Sequence, residues 1–294
     1  MFARPTAQPV RQSLNVDLHC HSTISDGVLA PAEVAARAKQ NGVDVWALTD
    51  HDEIRGIPEA RAAADALGMR YITGVEISVT WAGRTIHIVG LNFDETYPEL
   101  VQGLERTRSG REMRARGMAA ELAKVGIEGA YEGALKYVGN PDLISRSHFA
   151  RYIVETGECA DINEVFKRYL GDGKPGFVPH RWATLAEAVG WISRAGGTAV
   201  IAHPGRYEFS QVAFDALFRE FKALGGAAIE VVTGSHTVDQ YSEYSRVATR
   251  YGFLSSRGSD FHGPHDSVVD LGKLPALAPM LKPVWEAWPE LAQV

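Results

Sequence analysis

His19 and His21 stand one residue apart in the stretch DLHCHSTISDG (17–27), and Asp26 follows five positions after the second. Imidazole is a common nitrogen ligand for divalent metals, and residues i and i+2 of a strand face the same side. Both rings can therefore serve one ion without distorting the backbone. A single pair of this kind also arises by chance on polar surfaces, so the weight falls on what recurs. TDHD (49–52) carries Asp50, His51 and Asp52, and GVEIS (74–78) carries Glu76 inside an apolar run. HIVGL (87–91) carries His87, IAHPG (201–205) carries His203, and GSDFHG (258–263) carries Asp260 and His262.

Mixed imidazole and carboxylate suits Zn²⁺, Mn²⁺ or Fe²⁺. Nine candidate ligands, His19, His21, Asp26, His51, Glu76, His87, His203, Asp260 and His262, exceed what one ion takes. Two or three ions sharing a carboxylate fit better, and Glu76 is the natural bridge. Clustered divalent ions suit phosphate ester chemistry, where they hold phosphoryl oxygens, generate hydroxide near neutral pH and stabilise the leaving oxygen.

Such residues need elements that aim them at one point. Apolar, Val- and Ile-rich segments predict strands at 15–19, 43–49, 71–78, 85–91, 198–202, 228–233 and 253–256. Helical patterns at 31–42, 58–68, 185–197 and 212–226 end in or near glycine, and the first two begin at proline. Strand followed by helix, repeated, implies parallel βαβ units and a closed or nearly closed α/β barrel. No GxGxxG follows the first strand, which argues against a dinucleotide site. Barrel active sites form at the carboxyl ends of the strands, where these polar residues recur.

The alternation breaks between about 97 and 176. Helices are expected at 99–126, 148–157 and 161–171, an all-helical insertion of roughly 80 residues. The expected organisation is barrel, first part, 13–97; helical insertion acting as a substrate cap, 98–178; barrel, second part, 179–280; and a C-terminal tail, 281–294. Between Leu104 and Lys124 lie five arginines and one lysine against three glutamates. Arg108, Arg111 and Arg114 are three apart, which places neighbours on one side of a helix. Arginine forks match phosphate oxygens. Ser145, Arg146 and His148 form a second candidate substrate-binding cluster, and Lys174 a third.

Other residues read as supporting structure. Trp46, Trp182 and Trp191 are expected in the core or an interface. Asp17 and Asp50 are expected to orient ligands, and Cys20 to face away from them in packing. Tyr207 and His236 are further candidates for substrate contact.

The 294 residues are 45% hydrophobic and 22% charged, enough for a substantial core. The net charge of −6 argues against broad, non-specific nucleic-acid binding. The two cysteines, Cys20 and Cys159, cannot build a disulfide framework and point to a reducing compartment. The N-terminal residues lack the apolar run of a signal peptide, and no window approaches a membrane span. A cytoplasmic protein with neither a membrane nor an obligate protein partner is expected.

The quoted motifs, in this order and over most of the chain, resemble those of the PHP family (polymerase and histidinol phosphatase). The resemblance implies a distorted (β/α)7 barrel, an α/β fold, with a trinuclear metal centre. It implies that His19, His21, Glu76 and Asp260 bind a first metal. Glu76 would bridge to a second, shared with His87 and His203, and Asp26, His51 and His262 would bind a third. The metals would be two or three divalent ions, Mn²⁺ first, with Zn²⁺, Fe²⁺ or Mg²⁺ as alternatives. Asp26, His51, His203 and His262 are the catalytic candidates.

Residues 144–179 are similar to a bacterial subgroup that dephosphorylates 3′,5′-bisphosphonucleotides such as pAp, and whose members also trim RNA from the 5′ end. The implied activity is removal of the 3′-phosphate, pAp to AMP, by a metal-held hydroxide, on a small nucleotide substrate. The alternatives are a 5′-3′ exoribonuclease on short 5′-phosphorylated single-stranded RNA, or another phosphatase such as one for histidinol phosphate. The complete ligand set weighs against a non-catalytic binding module.

Overall fold

A computed structural model describes residues 14–289 and 291 of the chain. Most of the segment read above as lacking a leader, the expected domain start at 13, and residues 290 and 292–294 of the expected tail lie outside the described residues. Seven strands form one sheet in the order β1 to β7: β1 (Val16–Asp17), β2 (Val45–Leu48), β3 (Arg70–Trp81), β4 (Arg84–Leu91), β5 (Thr198–Ile201), β6 (Ala228–Thr233) and β7 (Leu254–Gly258). All seven expected strands are present, with shifted ends. The sheet nearly closes. Leu18 N–H donates to the Arg257 carbonyl, Asp260 N–H to His19 and His21 N–H to Phe261, at 2.8–3.0 Å. At this seam Gly258 is required, because a Cβ there would lie 2.3 Å from the His19 Cβ.

One expectation needs correction. The units are not all parallel: β4 runs antiparallel to both β3 and β5. The cause is local. Ala82 and Gly83, both at positive φ (47° and 75°), join β3 to β4 in a two-residue turn. Such a turn forces an antiparallel hairpin, where a parallel pair would need a crossover. Because β4 runs backwards, its amino-terminal half lies at the same rim as the carboxyl ends of its neighbours. His87, three residues into β4, therefore reaches that rim.

Inside the barrel, Val16, Leu18, Val45, Ala47, Val89, Val200 and Ala228 pack with Val284, Trp288 and Leu291 of the C-terminal segment. Those last residues plug the end opposite the polar rim. The outer faces of β3–β6 pack against α8 (Leu185–Arg194), α9 (Gln211–Ala223) and α10 (Val238–Tyr251). On the other side, α1 (Pro31–Gln40) and α2 (Ile57–Ala66) cover β1 and β2 around Trp46. Helix α10 was not expected: VDQYSEYSRVATRY is polar along most of its length and buries only Tyr244 and Ala248. Its signals were the Thr237–Gln240 capping box and the left-handed Gly252 at its end.

The expected 99–126 helix is two helices, α3 (Pro98–Arg108) and α4 (Arg111–Ala123), broken at Ser109 and Gly110. Leu100 and Leu104 of α3 join the barrel core. Helix α4 instead packs with α5 (Ala130–Leu135), α6 (Arg146–Glu155) and α7 (Ile162–Val165) around Met118, Leu122, Phe149 and Ile153. This second core stands over the polar rim.

Candidate metal centre and its cavity

The residues that follow β1, β2, β5 and β7, together with Glu76 within β3 and His87 within β4, converge at one rim. All nine candidate ligands are there, and they fall into four overlapping groups that could hold metal ions: His19, His21 and Asp260; His19, Glu76 and His203; His51, Glu76 and His87; and His21, Asp26, His51 and His262. Asp52, His203 and Asp260 adopt positive φ without being glycine (51°, 26° and 56°). Strain of this kind, roughly 1–3 kcal/mol per residue, persists where the surroundings fix a functional loop.

The distances test whether metal ions fit. His19 Nε2 and His21 Nε2 lie 3.2 Å apart. They lie 3.4 and 3.3 Å from Glu76 Oε2, and 3.6 and 3.3 Å from Asp260 Oδ1. Separations of 3.2–3.6 Å are those of atoms that each lie roughly 2.0–2.2 Å from a shared ion, the length of a bond from zinc to nitrogen or oxygen. Glu76 divides its oxygens. Oε1 meets His87 Nδ1 at 2.8 Å and His203 Nε2 at 2.9 Å, while Oε2 also meets His51 Nδ1 at 3.0 Å. Neither His51 Nδ1 nor Glu76 Oε2 has a hydrogen-bond partner among the described residues, although both are buried. A carboxylate facing a separate imidazole set with each oxygen is the geometry of a bridge. Asp26 Oδ1 lies 3.3 Å from His262 Nε2 and 3.9 Å from both His21 Nδ1 and His51 Nε2.

The charge states follow from these neighbours. Burial and the charges of His262 and His51 push His21 down to about 3. Burial and Arg206 bring His203 to about 3 as well. Burial opposes protonation of His51, but Glu76 and Asp26 outweigh it and carry His51 up to about 9. Burial likewise opposes His19, which Glu230 and Glu76 hold well above the usual range. Protons on His19 and His51 compete with metal for the same nitrogens, so binding must release them. Metal uptake at pH 7.5 is expected to free about two protons. Apparent affinity should climb with pH as His51, near 9, and His19 lose their protons. Calorimetry in buffers of different ionisation enthalpy measures the release, and no release would contradict the assignment.

Glu230 escaped the sequence reading. It is a lone glutamate in the apolar strand β6, and the inward-facing carboxylate in AIEVVT was the available signal. Its Oε1 lies 2.7 Å from His19 Nδ1, and its Oε2 accepts the His203 backbone N–H at 2.6 Å. The first contact turns His19 Nε2 toward Glu76. Both groups facing Glu230 are donors, so an amide NH₂ would oppose one of them. Glu230→Gln is expected to lower metal affinity by about 10- to 100-fold while the protein stays folded. Isothermal titration with Mn²⁺ measures it, and unchanged affinity would refute the role.

The supporting aspartates work through loops. Asp50 accepts from Ser22 N–H, Ser22 Oγ and Ser25 Oγ at 2.6–2.8 Å, fixing the loop that carries Asp26. Asp17 accepts from Ser259 N–H and Gly272 N–H at 2.8 Å, fixing the loop that carries Asp260. Cys20 faces outward and accepts from Trp46 Nε1 at 3.1 Å.

Above the rim is a cavity of about 400 Å³, lined by Asp26, His51, Glu76, His87, His203, Asp260 and His262 below and by five arginines, Arg111, Arg114, Arg146, Arg151 and Arg206. Arg111 and Arg114 stack on the Trp182 ring, 4.8 and 5.2 Å from its centroid. Trp182 is thus buried, as expected, but beneath two cations; Trp46 and Trp191 lie in the core. Arg111 also pairs with buried Asp52. Arg114 donates Nε to the Val178 carbonyl at 3.0 Å and forms no ion pair within 4 Å among the described residues. Burial, then Arg146 and Arg111, push its guanidinium down to about 9.

Several substrate candidates land elsewhere. Because the helix breaks at Gly110, Arg108 does not share a face with Arg111. It turns back to donate to the Asp52 carbonyl at 2.6 Å and does not line the cavity. His148 is fully buried. It accepts Ser145 N–H at 3.0 Å as part of the capping box of α6 and does not reach the cavity. Ser145 does, donating to Asp26 Oδ2 at 3.2 Å. Lys174 lies outside this cavity, on an adjoining cleft. The Tyr207 hydroxyl accepts His87 N–H at 2.8 Å and donates to the Ala202 carbonyl at 2.9 Å, so it holds β4 to β5. His236 is buried; its Nε2 accepts Gly205 N–H at 2.9 Å, which anchors the loop of Arg206.

Arg151 and Arg206 were missed. Arg206, half-exposed, pairs with Asp260 at 3.0 Å. Arg151 donates to the Asp26 carbonyl at 2.6 Å and to Asp266 at 2.9 Å. With Ser145, it fastens α6 to the loop of Asp26.

Among the described residues no helix is long and apolar enough to cross a membrane. Residues 17–171 match the PHP domain. Over 271 residues the chain is 48% identical to the 3′,5′-nucleoside bisphosphate phosphatase of Chromobacterium violaceum, covering 92% of this chain and 95% of that one. Over 270 residues it is 46% identical to a 5′-3′ exoribonuclease of Haemophilus influenzae, covering 92% and 97%. A crystal structure from Chromobacterium violaceum, described as an amidohydrolase with bound sulfate and no metal, superposes with a TM-score of 0.91 at 47% identity, over 95% of this chain and 96% of that one. The domain match covers more than half of the chain, and the relatives align along nearly all of it: this chain belongs to the PHP family.

Proposed function

We propose that the chain is a phosphoric monoester hydrolase that removes the 3′-phosphate of nucleoside 3′,5′-bisphosphates, converting pAp to AMP. One observation carries the reading: a single cavity sets seven of the nine candidate metal ligands opposite five arginines. A substrate with one phosphate would need one anion site. A bisphosphate fills two, one at the metals and one at the arginines. The 48% identical relative, named for this activity, supports it.

His19, His21, Glu76 and Asp260 would hold one ion, Glu76, His87 and His203 a second, and Asp26, His51 and His262 a third. Mn²⁺ suits this mixed imidazole and carboxylate set. When bound, the ions supply Lewis acidity toward the phosphoryl oxygens and lower the pKa of water. Asp26, His51, His203 and His262 surround the reacting phosphate. Arg206 meets the charge that builds on its oxygens, and Arg111, Arg114 and Arg146 clamp the 5′-phosphate. Fixing the remote phosphate turns binding energy into orientation of the reacting one. Residues 98–178 act as the substrate cap in this reading. A reducing, cytoplasmic setting suits the two free, buried cysteines.

A 5′-3′ exoribonuclease activity in the same site is the second reading. It is favoured by the cationic cleft that leaves the cavity past Arg84, Lys167 and Lys174, and by the 46% identical relative. Metal-stripped protein reloaded with Mn²⁺, Zn²⁺ or Mg²⁺ is expected to release phosphate and AMP from pAp. No release with any of the three rejects the proposal.

A further inference from the structure

A second cavity, of about 430 Å³, joins the first at Thr85, His87, Arg146, Phe166, His203 and Arg206. It runs from His87 and His203 outward between the helical insertion and the start of β4 with the 203–209 loop that follows β5. Its own cations are Arg84, Lys167 and Lys174, against Asp172 and Glu208. Arg84 is engaged, paired with Asp172 at 3.0 Å. Lys167 and Lys174 are exposed and make no ion pair among the described residues. Phe166, Tyr207 and Phe209 offer ring surface along the same walls. Cations that follow a backbone, interleaved with aromatic faces, are the ordinary device for holding a single strand without reading its sequence.

The direction follows from the junction. In the function proposed above, the first nucleotide lies in the arginine-lined cavity with its 5′-phosphate at Arg111 and Arg114 and its 3′-phosphate at the metal-ligating residues. In an oligonucleotide that 3′-phosphate is esterified to the next residue. Hydrolysis forms a bond from water oxygen to phosphorus and breaks the bond from phosphorus to O3′. The 3′-oxygen takes the proton, which leaves a nucleoside 5′-monophosphate and a shortened chain with a new 5′-phosphate. The remaining chain must leave from the reacting phosphate, and the second cavity opens there, beside His87 and His203.

We infer that this cleft, lined by Lys167, Lys174 and Arg84 with Phe166 and Phe209, is the track for the nucleotides on the 3′ side of the cleaved phosphate in a 5′-phosphorylated single-stranded RNA. The inference rests on the phosphoesterase reading of the first cavity. A substrate that extends into the track gains contacts that pAp cannot make.

Lys167→Glu tests it in the metal-loaded full chain, with Lys167→Ala as a milder companion. The substrates are pAp and 5′-phosphorylated ribonucleotides of two to five residues. In the unsubstituted protein kcat/KM is expected to rise with length. Lys167→Glu is expected to lower kcat/KM for the pentanucleotide at least fivefold and to flatten the length dependence, with pAp within twofold of normal. Log kcat/KM against log salt for the pentanucleotide should lose about 0.7 in slope with Lys167→Ala. An unchanged pentanucleotide rate in Lys167→Glu overturns the track. So does an equal loss on pAp, which would make the cleft part of the mononucleotide site. Unsubstituted protein that cleaves pAp but no oligonucleotide overturns the track and leaves the phosphatase reading standing. Protein that cleaves neither overturns both.

Discussion

Glu76→Gln is expected to lower phosphate release from pAp by on the order of 10³-fold or more, because it neutralises the carboxylate that meets five of the imidazoles. Glu76 is fully buried and lies within 3.4 Å of nitrogens from His19, His21, His51, His87 and His203. Glutamine keeps the volume and one acceptor, but it loses the negative charge and the second acceptor. No bridge then joins the two groups, and metal content should fall by at least one ion per chain. Folding should survive, since the nearby imidazoles can shed their protons once the charge that raised them is gone. Elemental analysis of metal, a thermal melt and steady-state kinetics separate these effects. A variant that keeps its metals and its rate would contradict the bridging role.

Arg114→Ala carries the second large effect. Arg111 and Arg114 share the Trp182 ring, but their circumstances differ. Arg111 neutralises buried Asp52, which accepts Ser78 N–H at 2.7 Å, so removing Arg111 strands a charge and costs about 3–5 kcal/mol of stability. Arg114 has no such duty. Crowded by Arg146 and Arg111, it is a cation prepared for an anion. A charge-assisted hydrogen bond is worth about 1.5–3 kcal/mol, so kcat/KM for pAp should fall about 10- to 100-fold. The rate on 3′-AMP, which lacks the 5′-phosphate, should change little, and Arg114→Lys should recover part of the loss. Equal losses on both substrates would place Arg114 at the reacting phosphate instead of the remote one.

The sequence was most legible where one residue type recurred at strand ends. His19 and His21 announced a shared side by their spacing, and the other motifs each placed a ligand beside an apolar strand. What it concealed was direction and distance. The reversal of β4 rests on the Ala82–Gly83 turn, whose alanine is an uncommon occupant of positive φ. The arginine spacing suggested a continuous helix face, but Gly110 ends the pattern. Its Cβ position lies 2.2 Å from His180 Cε1, a contact no local rule foresees. His148 looked like a ligand for phosphate because Arg146 is near in sequence, yet burial made it a helix cap. Glu230, Arg151 and Arg206 stayed hidden because each acts on a loop distant in sequence. Only the closed sheet and the docked α6 bring them to His19, Asp26 and Asp260.

In the proposed function one cavity binds two phosphates and hydrolyses the one at the metals. The ratio of kcat/KM for pAp to that for 3′-AMP, measured with the same Mn²⁺-loaded protein, tests it most directly. A ratio of about 10² or more is expected, the worth of a clamped remote phosphate. A ratio near one, or a preference for 3′-AMP, would contradict it.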